Sequence, residues 1–250
     1  MIRGGSDGPH LAGSRAAEEW LSQLTRSHIS PRKVCERMSE RRAVMKTRMA
    51  WIAVVVLCLL GSVAAAATAK MKPADELKMG MRMLWEEHIT YTRNYIISAL
   101  ADLPDRDAVA QRLLKNQDDI GNAIKPFYGD QAGQKLATLL RDHIMIATEV
   151  VKAAKANNNE QLDAAQKKWT ANGKEIAAFL SGANPNWPKQ TLESMLQTHL
   201  DLTTGEVVGR LKKDWAADIK SYDEGHAHML MFADTLADGI TKQFPEKLKG

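Results

Sequence analysis

The chain has 250 residues, with 34 Lys+Arg against 30 Asp+Glu and a net charge of +4. The first 69 residues hold 10 of those basic and 5 of those acidic groups, so the remaining 181 carry 24 and 25, a net charge of −1. This removes the basic balance that nucleic-acid or anionic-membrane binding relies on. Both cysteines, Cys35 and Cys58, lie in that first part, so disulfides, zinc–thiolate sites and cysteine catalysis are excluded from the rest.

Residues 1–44 are rich in Arg, Gly and Ser and show no sustained helical or strand period. Met45 to Ala69 has the three parts of a secretory signal peptide. Lys46 and Arg48 form a cationic start, Met49 to Leu60 is unbroken apolar sequence, and the small-residue end closes on Ala67-Thr68-Ala69. The apolar run is short against the roughly 20 residues that span a bilayer. The expectation is therefore that translation starts at Met45 and residues 1–44 are not translated, the alternative being a genuine disordered tail, and that 45–69 is cleaved. Cys58 follows Leu57, where a lipoprotein site needs a small residue, so no lipid anchor is expected. The exported chain would be periplasmic or secreted, with residues 70–250 forming a single domain.

Beyond Lys70 the pattern predicts helix almost throughout, because Gly and Pro fall at element ends and no strand alternation appears. The first helix is expected over 74–102, after Pro73 and before Leu103-Pro104-Asp105. A shorter amphipathic segment follows over 107–124, ending at Lys125-Pro126. Further helices are expected over 131–156, 160–180, and from Pro188 to about Leu211, with Asn157-Asn158-Asn159 and a Gly/Asn/Pro loop between them. A continuous helix from Pro188 to Gln243 would be about 80 Å long, so a bend is placed at Asp214, a natural N-cap with Asp218 in the following turn. The expected fold is an all-α antiparallel bundle of four or five helices with the short amphipathic helix added.

Four histidines fall one to a long helix, each in an apolar stripe. His88 belongs to Leu77, Met81, Leu84, His88, Tyr91, Tyr95; His143 to Leu136, Leu139, His143, Ile146, Val150. His199 shares its face with Glu206, and His226 follows Asp223 by one turn. Each lies about 11 to 14 residues from its helix ends, which at about 1.5 Å per residue puts all four near one level of an antiparallel bundle. Facing-helix side chains are how bundles build metal sites, and neutral imidazole suits Fe, Cu or Zn. His88, His143, His199 and His226 with Glu206 are thus the expected ligand set, with Asp223, Tyr91 and Tyr222 nearby. The competing expectation is a hydrogen-bonded polar core that holds nothing.

No Glu-x-x-His pair faces inward, which argues against a ferritin-type di-iron site, and no phosphate loop, nucleophile elbow or H-E-x-x-H occurs beyond Lys70. Arg93 lies off the His88 face and is expected to pair with Asp118 or Asp119. Trp169, Asn172 and Ile176 share a face and read as packing. Asn116-x-x-Asp119-x-x-Asn122 forms a polar stripe, and the methionines, Met79, Met81, Met83, Met229 and Met231 among them, invite a copper reading beside the histidines but read as core filler. His228 points away from His226 around the helix and is expected to be peripheral.

The segments LWEEHITYTRNYIISALADLP, RLLKNQDDIGNAIKPFYG, LLRDHIMIATEVVKAAKA and YDEGHAHMLMFADTLADGITKQFP resemble a bacterial family of small exported all-α proteins. Members are sometimes loosely labelled glycosyltransferase, for which this sequence has neither a sugar-nucleotide fold nor an Asp-x-Asp motif. The resemblance implies an autonomous helical domain and leaves its chemistry open. The architecture is also similar to hemerythrin-like bundles, without their His/carboxylate motif.

Three classes of function follow: a binding protein for a transition metal or small ligand, a structural or interaction module with a polar core, and, third, an enzyme. No nucleic-acid partner and no membrane anchor after cleavage are expected, and the oligomeric state stays open. Intact-mass analysis of the exported protein is expected to give a chain starting near Lys70. Retention of Met45 to Ala69 would make that segment a membrane anchor instead.

Overall fold

The computed structural model describes Met45 and residues 71–249; residues 1–44 and the rest of the expected signal peptide lie outside the described residues. Residues Met71–Gly250 form one compact unit. It is an all-α bundle of six helices: α1 Pro73–Leu100, α2 Arg106–Tyr128, α3 Asp130–Lys155, α4 Asn159–Ala183, α5 Lys189–Leu211 and α6 Trp215–Gln243, followed by a 3-10 turn at Pro245–Leu248. Among the described residues there is no strand, and no helix is long and apolar enough to cross a membrane.

Short connections make each helix antiparallel to the last. Each packs on its successor, and α6 packs back on α1, closing a ring. The odd-numbered helices α1, α3 and α5 also touch across the ring. Those three carry His88, His143 and His199.

Local sequence explains the ends. Pro73 opens α1, with Asp75 and Glu76 placed to favour the helix N-terminus. Asn158 and Asp214 cap α4 and α6, their side chains accepting from Gln161 N–H and Ala217 N–H at 3.0 Å each. The turns after α1, α3 and α5 are built alike. Asp102, Asn157 and Lys213 take left-handed φ values of 52°, 52° and 59°. In each turn the next N–H reaches back five residues, Leu103 to Ser98, Asn158 to Ala153, and Asp214 to Gly209. The segment expected to stop at Lys125-Pro126 is instead a full helix of 23 residues. A proline in the last turn deletes one donor without halting the residues after it. The stop comes at Gly129, with φ 85° and its N–H on Lys125 O at 2.8 Å.

The main core fills the half of the bundle that holds Trp85, Ile120, Leu136, Trp187, Leu192 and Phe232. Two smaller apolar clusters, around Ile96 and Val207 and around Val150 and Leu200, occupy the other half. The histidines lie where these clusters meet.

Helix contact is closest where side chains are missing. A Cβ at Gly121 would stand 2.5 Å from Gly133 O, so α2 and α3 cross backbone to backbone. At Gly239 a Cβ would stand 1.9 Å from Nε1 of Trp187, whose indole donates to Thr235 O at 3.1 Å. Gly239→Ala must displace that buried indole, and overpacking of this kind costs about 1–3 kcal/mol. Urea unfolding should show that loss, with no comparable change for alanine at Gly182, where a Cβ meets nothing within 4 Å.

Candidate functional site

His88, His143 and His199 form a row of imidazoles in the bundle centre. The His88 and His199 ring centroids are 5.5 Å apart at 54°, and those of His143 and His199 are 5.9 Å apart and stacked at 23°. All three are buried, at 2–3% exposure.

The partners assign the protons. Asn172 Nδ2 donates to Leu139 O at 3.0 Å, which turns Asn172 Oδ1 toward His143 Nδ1 at 2.8 Å. On the other side of the ring, Trp169 Nε1–H donates to His143 Nε2 at 3.1 Å. An indole can only donate, so His143 is neutral with its proton on Nδ1, and both nitrogens are committed. His88 is held differently. Gln117 Nε2 donates to Leu113 O at 2.8 Å and lies 3.3 Å from His88 Nδ1. Gln117 Nε2 also donates to Asn116 Oδ1 at 3.1 Å, so its two hydrogens are already engaged and the contact with His88 is the longest of its three. His199 Nδ1 has no partner among the described residues.

Burial shifts all three downward. It pulls His88 to about 3, helped by the neighbouring charge of His143. His143 falls to about 4, with Asn172 opposing. His199 falls well below its ordinary value, for burial first and its histidine neighbours second. The row is uncharged at neutral pH.

The other residues of the expected ligand set lie elsewhere. His226 is outside the row: its Nε2 donates to Glu86 Oε2 at 2.6 Å on the α1/α6 seam, and its ring lies 6.1 Å from that of Tyr222. The buried stripe of α6 runs through Asp218, Gly225, Met229 and Phe232, and His226 falls just off it. Glu206 is buried, but its Oε1 stands 3.1 Å from Arg93 Nη1 rather than joining the imidazoles. Asp223 is exposed, Tyr91 lies under the Arg112 guanidinium at 4.5 Å, and Tyr222 under that of Arg93 at 4.9 Å. His228 Nε2 donates to Met195 O at 2.7 Å.

Arg93 does not pair with Asp118 or Asp119, which take Arg141 and Lys115. It binds Asp218 through both carboxylate oxygens, Nη1 on Oδ1 and Nη2 on Oδ2, while Arg210 Nη1 adds a bond to Oδ2 at 2.9 Å. Asp218 is 1% exposed. Glu206 is left with one contact that lacks hydrogen-bond alignment. Burial pushes it up to about 7, against the pull of Arg93. Among the described residues, no group of three or more His, Cys, Asp or Glu is placed to hold a metal ion.

Gln117 escaped the sequence reading although it interrupts the stripe Leu113, Gln117, Ile120, Ile124 at a core position, which is the signal that could have found it. Trp169 and Asn172 are more than packing, since they clamp His143. Trp169 and Thr204 also separate the inner cavity beside the row from an outer groove of about 600 Å³ between α4 and α5.

No family model, no curated protein and no solved structure matches this chain.

The shifts set the pH dependence of stability. Unfolded imidazoles protonate near 6.5, whereas His143 in the fold does so only near about 4 and His88 near about 3. Their contribution is full above pH 6.5 and is lost as the pH falls toward those values, because the unfolded chain takes up protons first. Glu206 works in the opposite sense. Its folded value of about 7 lies above the ordinary 4.5, so its contribution is present below pH 4.5 and is lost as the pH rises through about 7. Urea midpoints should therefore climb between pH 4.5 and 6.5, where imidazoles outnumber Glu206. From pH 5 to pH 8, Glu206→Gln should gain on the wild type by on the order of 3 kcal/mol.

Proposed function

We propose that this protein is an exported helical-bundle interaction module whose central histidines are neutral, hydrogen-bonding core residues. One observation carries the reading: both nitrogens of His143 are committed, one to Asn172 and the other to Trp169. Metal coordination needs an imidazole lone pair, and the one on His143 Nε2 already accepts from a buried indole. Taking it for a metal would strand that N–H at a cost of about 1–3 kcal/mol. The separation of Glu206 and His226 from the row supports the same reading.

Export is supported by Lys46 and Arg48, the apolar run to Leu60 and the Ala67-Thr68-Ala69 end. Membership of the exported all-α family whose segments the chain resembles belongs to the same proposal.

Two measurements on protein purified without an affinity tag test it together. Elemental analysis should give Fe, Cu and Zn well below one per chain. Nitrogen-15 NMR should show His143 as the Nδ1–H tautomer, unchanged on lowering the pH from 7 to about 5, since burial holds its pKa near about 4. One metal per chain, with the His143 signals moving when a chelator strips it, would overturn the reading.

A further inference from the structure

The three helices that carry the imidazole row run parallel to one another, so equal steps along them reach equal levels. Four residues after His88, His143 and His199 stand Thr92, Ala147 and Thr203, and eight residues after them Ile96, Val151 and Val207. Steps of four and eight stay on roughly the same helix face. Large rings hold the helices apart, and the small residues of the next layer do not fill the space between them. The result is a cavity lined by all three layers, with about 20 Å³ open to the centre of a water-sized sphere. One small molecule fits such a space, and a ligand of several heavy atoms does not. Tyr95, Thr148 and Val151 belong both to this wall and to that of a surface groove of about 730 Å³, so one layer of side chains separates the cavity from solvent.

The surface this cavity offers a guest is almost wholly apolar. Its polar residues are turned elsewhere. His143 commits its ring nitrogens to Asn172 and Trp169, Thr203 Oγ1 donates to His199 O at 2.8 Å, and Thr148 Oγ1 donates to Met145 O at 2.7 Å. Thr92 Oγ1 and His199 Nδ1 are covered by their neighbours and reach no guest. A water placed here would give up its hydrogen bonds for nothing, so an apolar cavity of this kind stays dry. No carboxylate, lysine or arginine lines the wall, which leaves an ion without a partner. We infer that the cavity is a binding site for one small nonpolar molecule, of the class of the dissolved gases. Such a guest needs no hydrogen bond, and it gains dispersion contacts on every side that an empty cavity forgoes. The site goes beyond the structural role proposed for the histidines, since that role rests on the two bonds of His143, which a guest leaves untouched.

Methyl-resolved carbon-13 NMR of the purified protein under rising xenon pressure reads the site directly. The methyl signals of Ile96, Val151 and Val207 should shift and saturate, while those of Ile120, Leu136 and Leu192 in the main core should stay in place. Ala147→Val fills the small layer and should abolish the saturating shifts. Val207→Ala widens the cavity and should make them saturate at lower pressure, which decides the matter if Ala147→Val does not fold. The site would be overturned by wild-type methyls that do not respond, by a response that appears only in Val207→Ala, or by an unchanged response in folded Ala147→Val. None of these results would bear on the His143 tautomer, which the nitrogen-15 spectrum reports separately.

Discussion

The bond from the Trp169 indole to His143 is the constraint around which the middle of this bundle is arranged. A donor that cannot accept, facing an imidazole out of water, admits one tautomer only. That tautomer carries its proton on Nδ1, so the opposite face of the ring needs an acceptor at hydrogen-bond distance. Asn172 supplies it, one turn from Trp169 on α4, and is itself oriented by Leu139 O on α3. Three side chains and one carbonyl thus lock α3 to α4 at a single register. The stacked ring of His199 then brings α5 against α3, and His88 brings α1 against α5. The layer of neutral imidazoles is therefore a seam between helices that touch across the ring.

Charge is kept out of that layer and gathered one to two turns away. On α5, His199 and Glu206 are seven residues apart and share a buried face, yet the first stays with the imidazoles and the second with the guanidiniums. Arg93 and Arg210 together satisfy Asp218, which would otherwise be an unpaired carboxylate in the interior. Such a group is strongly destabilising. Glu206 receives what remains of Arg93 and so keeps its proton to about neutral pH. Two guanidiniums set against one fully satisfied and one poorly satisfied carboxylate give a cluster that carries one positive charge while Glu206 holds its proton and is neutral once that proton is lost.

The helical character, the breaks and the capping residues were legible because they depend on local chemistry. Asp214 is a good cap wherever a helix begins, Asn158 reads in the sequence only as part of a break, and the depth of each histidine follows from counting residues. The azimuth of α6 was not legible. Its apolar pattern, read through Ile219, Tyr222, His226 and Met229, points His226 inward. The true buried stripe passes through Asp218 and Gly225, two residues that a hydrophobic pattern scores as surface. Glycine is the reason. At Gly209 a Cβ would stand 2.7 Å from Asp218 N, and at Gly205 one would stand 2.8 Å from the Ser221 hydroxyl. The α5/α6 contact is made by backbone, so the residues that define it carry little apolar surface. Ile219 is left 52% exposed and His226 turns to Glu86.

Asp218 also accounts for where the chain turns between α5 and α6. A carboxylate buried in the first turn of a helix has nearby N–H groups and a favourable dipole, but needs cations within reach to stay ionised in the interior. Arg210, eight residues earlier, reaches it only if α5 has ended and the chain has reversed by then. Arg93 must come from a helix on the other side of α6, which is the position α1 occupies when the ring closes. The left-handed Lys213 and the Asp214 cap make the reversal locally feasible. The two guanidiniums converging on one carboxylate require it there, and in doing so tie the first and last helices of the bundle together. A substitution at Asp218 would therefore be felt as loss of ring closure, whereas one at His226 would be felt only at the surface of the seam.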